Sequence, residues 1–143
     1  MRASGFTLVE LLIATVIAAT LVSIGVGSLS GARERAALNG AADAVTRQLA
    51  LGRAVAVARR ETVRLTRRDR ELALLDSRGA VLSVLALGRG DDLPLDSVVV
   101  RPSSIRFNAR GHAGAGSIYL WRGGRGVRLV TNFLGRVRRE PVP

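Results

Sequence analysis

Two groups of charged side chains carry most of the chemistry available to this sequence: one carboxylate near the amino terminus and several arginines near the carboxyl terminus. The carboxylate, Glu10, is the only charged residue between positions 6 and 32, where the sequence is predominantly apolar. About 20 apolar residues span a bilayer as a helix, and an ionisable group inside such a segment is costly enough to indicate a function. We therefore predict a transmembrane helix over 6–32 in which Glu10 has a specific role.

The arginines are concentrated after position 121, where Glu140 is the only acidic residue. The basic residues of this segment are Arg122, Arg125, Arg128, Arg136, Arg138 and Arg139. The whole chain carries 22 basic and 11 acidic residues, for a net charge of +11. Arginine neutralises phosphates and donates two hydrogen bonds to one, so this charge is typical of a surface that binds polyanions such as DNA. Basic surfaces also bind anionic lipid headgroups or acidic partner subunits.

The composition gives little support to catalysis or metal binding. The chain has no cysteine and no lysine, and its only histidine, His112, is not tied to a serine or an aspartate by a recognised motif. Asp91, Asp92 and Asp96 could supply oxygen ligands, but their spacing is not that of a known calcium loop. We therefore expect no enzyme activity, no cofactor and no metal site.

The helix that presents Glu10 is expected to continue well beyond the apolar run. Apolar residues recur there at alternating four- and three-residue steps, which is one stripe of a helix. They are Leu38, Ala42, Val45, Leu49, Gly52 and Ala56, with Arg47, Gln48 and Arg53 at the polar positions between them. This pattern predicts one helix from about Phe6 to about Arg59, whose second half packs on a sheet.

After position 61 the apolar period falls to two, which indicates strands with one buried face. The predicted strands are 62–66, 80–85, 104–107, 117–121 and 126–130. Turn signals separate them at 77–79, 108–111 and 122–126, and 88–96 reads as a longer polar loop. A helix followed by short antiparallel strands predicts an α+β fold.

The amino-terminal motif resembles a known family signature. Gly5, Phe6, Thr7, Leu8, Val9 and Glu10 match, position for position, the leader end and helix start of type IV pilins and of the pseudopilins of type II secretion. The resemblance implies that a prepilin peptidase cleaves between Gly5 and Phe6 and methylates the new amino terminus. Because Glu10 lies one helical turn after Phe6, its carboxylate can pair with that amine on the same or a neighbouring subunit. Such a pair would favour one axial stagger between assembled helices.

The order of the later elements narrows this resemblance to the GspH/FimT group of minor pilins and pseudopilins. The matching features are an Arg-rich helix end at 54–60, the strand and turn at 104–111, and a last strand over 129–138 that contains Gly135, Arg136 and Arg138. The resemblance implies a long helix packed on an antiparallel sheet or β-sandwich. It divides the chain into a leader (1–5), a transmembrane and assembly helix (6–32), the periplasmic half of the helix (33–60) and a β-rich domain (61–143).

Two functions follow from this resemblance. The first is a structural subunit of a type II secretion pseudopilus, anchored by a single pass in the bacterial inner membrane and assembled with other pseudopilins. The second is a FimT-like minor pilin that binds double-stranded DNA during natural transformation. A Gly-Arg-x-Arg element near the carboxyl terminus is implicated in that role, and 135–138 matches it. The residues implied are Arg136 and Arg138, with Arg125, Arg128 and Arg139 as neighbours.

Overall fold

A computed structural model describes residues 7–88 and 95–142, including every side chain except those of 24–30. Gly5 and Phe6, which flank the expected cleavage site, lie outside the described residues. The same holds for Asp91 and Asp92, two of the three acids considered as metal ligands.

Residues 7–88 and 95–142 form one α-helix followed by eight strands, and the chain divides into two compact units, Met1–Arg35 and Ala36–Pro143. The elements are α1 (Leu8–Arg59), β1 (Val63–Arg68), β2 (Glu71–Leu75), β3 (Val81–Ala86), β4 (Ser97–Arg101), β5 (Ser104–Phe107), β6 (Gly116–Arg122), β7 (Arg125–Thr131) and β8 (Val137–Val142). The predicted helix and the α+β class are confirmed.

Both ends of α1 are capped by hydrogen bonds between residues that are close in the sequence. At the start, the Glu10 backbone N–H donates to Thr7 Oγ1 at 3.3 Å, so Thr7 caps the helix. At the end, Arg60 adopts a left-handed conformation (φ 52°), and the Glu61 N–H donates to the Ala56 carbonyl at 3.2 Å. This six-to-one bond is the Schellman arrangement that satisfies the last free carbonyls of a helix.

The described part of the first unit is helical, and its side chains from 8 to 22 are apolar on all sides apart from Glu10 and a few threonines. From Leu8 to Val22 its large apolar residues are between 53% and 81% exposed. Within the described residues, no helix is both long and apolar enough to cross a membrane.

The described strands of the second unit form two four-stranded antiparallel sheets. Sheet 1 has the strand order β3-β2-β1-β5, and sheet 2 has the order β4-β6-β7-β8. Every residue of the predicted apolar stripe of α1 is buried, and Leu38, Val45 and Leu49 join one core with residues of both sheets. Burial of this stripe explains why α1 continues to Arg59.

Three features of the second unit differ from the predictions. Strands β2 and β4 were not predicted. The expected last strand over 129–138 is wrong: β7 ends at Thr131, the chain turns, and β8 begins at Val137. Gln48, predicted at a polar position, is buried, and its Nε2 donates to Ser83 Oγ of β3 at 3.2 Å. This hydrogen bond replaces one that the Gln48 amide would make to water if it were exposed.

Candidate functional sites: the helix carboxylate and the outer face of sheet 2

The two predicted sites lie in different units. In the first unit, Glu10 is exposed in the first turn of α1, among exposed apolar side chains. Its side chain has no ion-pair or hydrogen-bond partner among the described residues, and its own N–H is the group that Thr7 caps. Glu10 is therefore available for a partner outside the described part of the chain.

In the second unit, the alternation of side chains along the strands of sheet 2 determines which predicted arginines face the core and which face the opposite side. Ile118, Leu120 and Leu129 point to the core and are 0% exposed. The residues between them on each strand form the opposite side, which we call the outer face. Strand registers assign to it Ser97, Val99 and Arg101 of β4, Ser117, Tyr119 and Trp121 of β6, Gly126, Arg128 and Val130 of β7, and Arg138, Glu140 and Val142 of β8.

Arg128 lies at the centre of the outer face and is held by three neighbours. Its Nε and Nη2 donate to Ser117 Oγ at 3.2 and 3.1 Å, and its guanidinium lies 5.5 Å from the centre of the Tyr119 ring. Its Nη1 is 3.7 Å from a carboxylate oxygen of Glu140. Arg128 is thus fixed in orientation, and Glu140 is already paired.

Trp121 lies beside this cluster, against the backbone of the neighbouring strand. A Cβ placed on Gly126 would be 2.8 Å from Cε3 and Cζ3 of Trp121 and 3.0 Å from Cη2. Such similar distances to three ring atoms mean that the ring presents its face, not its edge, to the glycine. A side chain at position 126 would displace the ring, so Gly126 is what allows Trp121 to lie flat.

Arg136 and Arg138 line a common groove at the β7–β8 end of sheet 2. Its volume is about 520 Å³, and its lining residues are Val130, Asn132, Arg136, Val137, Arg138 and Glu140. Both arginine side chains are exposed, and neither has an ion-pair partner among the described residues. The turn before β8 is fixed because Asn132 Oδ1 accepts the Arg136 N–H at 2.9 Å and Gly135 adopts φ 73°. The groove therefore presents Arg136 on a defined turn and Arg138 on the strand that follows it.

Arg139 lies on the side of β8 opposite to Arg138. It pairs in register with Leu129 on the core side of the sheet, and its Nη2 donates to Asp43 Oδ1 of α1 at 2.6 Å. Arg125, the fifth predicted arginine, is exposed at the start of β7 in the β6–β7 hairpin. The structure thus brings Arg128 and Arg138 together on the outer face, with Arg136 beside them, and directs Arg139 to the helix.

Asp96 and His112, which the sequence offered as candidates for metal binding and catalysis, make contacts within the fold. Asp96 Oδ2 accepts the Gly123 N–H at 2.8 Å, and the His112 ring stacks on Phe133 with centroids 4.5 Å apart. In the part of the chain that the structure describes, no group of three histidine, cysteine or acidic side chains could hold a metal ion. Tyr119, Trp121 and Gly126 are not among the predicted site residues, although the alternation of Tyr119 and Trp121 with Ile118 and Leu120 predicts that one of these pairs is core and the other exposed. The aromatic alternation in β6 and a glycine early in β7 are the signal that points to them.

Comparison with known proteins agrees with this architecture. Two crystal forms of the type IV minor pilin FimU from Pseudomonas aeruginosa superimpose with TM-scores of 0.57 and 0.56, each at 20% identity. The alignments cover 76% and 73% of this chain and 91% and 93% of the FimU chains, which at this identity shows a shared fold. No curated protein sequence matches significantly.

Two family signatures match the sequence itself. Residues 1–26 match the prokaryotic N-terminal methylation motif. Residues 41–135, about two thirds of the chain, match the family described as type II transport protein GspH. The chain therefore belongs to the GspH family of minor pilins and pseudopilins, whose members are structural subunits and not enzymes.

Proposed function

We propose that the chain is a minor pseudopilin of a type II secretion system, assembled through its N-terminal helix into a periplasmic pseudopilus. The observation that carries this proposal is the exposed apolar surface of α1 from Leu8 to Val22. A helix that is apolar on all sides needs cover from lipid or from other helices. A subunit that is stored in a membrane and then moves into a filament obtains that cover in both places.

The matched methylation motif supports the processing part of this proposal. Cleavage by a prepilin peptidase between Gly5 and Phe6 would leave a methylated amine one helical turn before Glu10. Residues 6–32 would then serve as a single inner-membrane span, with 33–60 and the β-rich domain 61–143 in the periplasm. In a low-dielectric environment the Glu10 carboxylate requires a cation, and the Phe6 amine of its own or a neighbouring subunit supplies one.

Replacement of Glu10 tests this assembly role. Glu10→Gln keeps the shape of the side chain and removes the charge, so we expect normal processing and membrane insertion with strongly reduced incorporation into sheared or purified filaments. Glu34→Gln is the matched control, because it makes the same chemical change in the same helix outside the methylation motif. Incorporation of the Glu10 variant at the level of the Glu34 variant would contradict the ion-pair role.

A second function is favoured by the groove at the β7–β8 end of sheet 2. Arg136 and Arg138 line it together, are exposed, and have no ion-pair partner among the described residues. We propose that this groove contacts the phosphates of double-stranded DNA, as expected of a FimT-like pilin. Arginine is suited to this role because its planar guanidinium donates two hydrogen bonds to one phosphate.

Salt-titrated DNA binding by the full chain in detergent micelles tests the second function. Each phosphate contact contributes about −0.9 to the slope of log affinity against log salt, so Arg136→Gln with Arg138→Gln should weaken binding and flatten the slope by roughly 1.8. The control replaces Arg78 and Arg110, two exposed turn arginines, with glutamine, for the same change in net charge. Equal effects of the two pairs would show that only overall charge matters.

A further inference from the structure

The outer face of sheet 2 combines an aromatic platform with arginines in a way that a groove for duplex phosphates does not require. Trp121 lies flat on Gly126, so one face of its ring is against the sheet, and the residue is only half-buried. The exposed part of the ring is a surface on which a planar group can stack. Tyr119, two residues earlier on the same face, is covered by the guanidinium of Arg128. Trp121 is therefore the stacking surface available on this face.

The polar groups of the outer face are mainly donors. Arg101 and Arg138 are exposed, and neither has an ion-pair partner among the described residues. Among the described residues of the face, Glu140 carries the only carboxylate, and it is paired with Arg128. Saccharide hydroxyls donate hydrogen bonds as well as accept them, and the described part of this face offers them no free carboxylate acceptor. Phosphodiester oxygens only accept hydrogen bonds, so they need only the donors that the face supplies. The face thus fits a ligand with both planar groups and phosphates.

The spacing of the two exposed arginines indicates the extent of that ligand. Arg101, Ser117, Val130 and Arg138 form one cross-strand row from one edge of sheet 2 to the other. Strands are separated by about 4.8 Å, so the Cα atoms of Arg101 and Arg138 lie roughly 14 Å apart. At this separation the two guanidinium groups can hold successive phosphates of one extended strand. Trp121 lies four residues along β6 from Ser117 of this row, on the same face.

We infer that the outer face of sheet 2 binds single-stranded nucleic acid, with a base stacked on Trp121 and phosphates held by Arg101 and Arg138. A base must be unpaired to place its face on a side chain, so this face prefers single strands over duplex. The inference rests on the second proposed function, since it shares Arg138 with the groove. It adds single strands to the duplex ligand proposed there, and it names Trp121 as the residue that distinguishes the two.

The test uses the fluorescence of Trp121, which is the only tryptophan of the chain. The full chain in detergent micelles is titrated with oligothymidylate of about 16 nucleotides, near the upper site size of one single-strand-binding domain. Stacking of a base on the indole should quench its emission along the same curve that anisotropy of a labelled oligonucleotide gives for binding. This measurement uses the unmodified protein and does not depend on whether a variant folds.

Variants then separate stacking from charge. Trp121→Ala should weaken oligothymidylate binding about tenfold or more, with a smaller effect on duplex DNA. Phe133→Ala, which removes an exposed aromatic ring from a turn outside the outer face, is its control. Arg101→Gln and Arg138→Gln should each lower the salt slope by about 0.7. Arg139→Gln removes the same charge from the core side of β8 and should leave the slope unchanged.

The remaining outcomes overturn the inference in distinguishable ways. Equal binding of single-stranded and duplex DNA without quenching, and without an effect of Trp121→Ala, would leave the duplex-binding groove and remove the stacking surface. Quenching by heparin at lower concentration than by oligothymidylate would assign the face to an acidic polysaccharide. Absence of binding to any nucleic acid would overturn both the inference and the second proposed function, while the assembly role of Glu10 would be unaffected.

Discussion

The two faces of sheet 2 are made by the same four strands, yet they are determined by different physical requirements. On the core side, Leu120 and Leu129 are fully buried, and their contribution is apolar area removed from water. On the outer face, Arg128 stacks on Tyr119 and binds Ser117, so polar side chains satisfy one another in contact with solvent. The core side therefore contributes most of the stability, whereas the exposed side chains of the outer face remain available for binding.

The same comparison separates residues that are adjacent in the sequence. Arg138 and Arg139 have identical chemistry, but strand alternation directs one to the exposed groove and the other to Asp43 of α1. Binding and structural roles can thus be assigned to single arginines. A count of arginines in the last segment cannot make this distinction.

The largest expected difference between the two faces concerns neighbouring apolar residues of β7. Leu129→Ala should lower the free energy of unfolding by about 2–5 kcal/mol, because it removes buried methyl groups and leaves a cavity in the core. Val130→Ala, one residue later on the outer face, should cost less than about 1 kcal/mol. Chemical denaturation of the full chain in detergent micelles, followed by tryptophan fluorescence, measures both. Similar losses would contradict the assignment of the two faces.

An intermediate effect is expected where the outer face depends on close packing. Gly126→Ala places a methyl group 2.8 Å from the Trp121 ring, so the ring must move outward, and we expect a loss of about 1–3 kcal/mol with red-shifted Trp121 emission. Gly31→Ala is the control, because beyond its chain neighbours and the adjoining helix backbone no atom of the described residues lies within 4 Å of the added methyl, and alanine favours helix. That variant should be neutral or slightly stabilising. Unchanged emission of the Gly126 variant would show that the ring does not lie on the glycine.

Much of the fold could be predicted because its periodicities are strong. The buried stripe of α1 gave the end of the helix, and alternation in 104–107 gave the bounds of β5. Strand β2 was missed because four of its five residues are buried in succession, so its sequence Glu71–Leu75 does not alternate. In β4, consecutive valines hide the alternation in the same way. Runs of this kind do not reveal a strand by period alone.

The sites were less accessible to sequence analysis because they depend on register. Whether Arg138 or Arg139 faces the core is fixed by the turn at 132–136, since a one-residue slip would exchange the two faces. The partner of Arg139, Asp43, lies 96 positions earlier in the sequence. A charge pattern could thus indicate a basic surface, but only strand pairing shows which arginines belong to it.

The smallest expected effect concerns those two arginines themselves. The Arg139–Asp43 pair is short, at 2.6 Å, but its side chains are 39% and 56% exposed, so solvent screening limits its contribution to at most about 1 kcal/mol. Arg139→Gln should lose that amount at low salt and less at high salt, whereas Arg138→Gln should leave unfolding unchanged under both conditions. A double-mutant cycle of Arg139→Gln with Asp43→Asn isolates the pair from other effects of each change. Zero coupling at low salt, or an equal loss in the Arg138 variant, would mean that these two neighbours do not divide structural and binding roles between them.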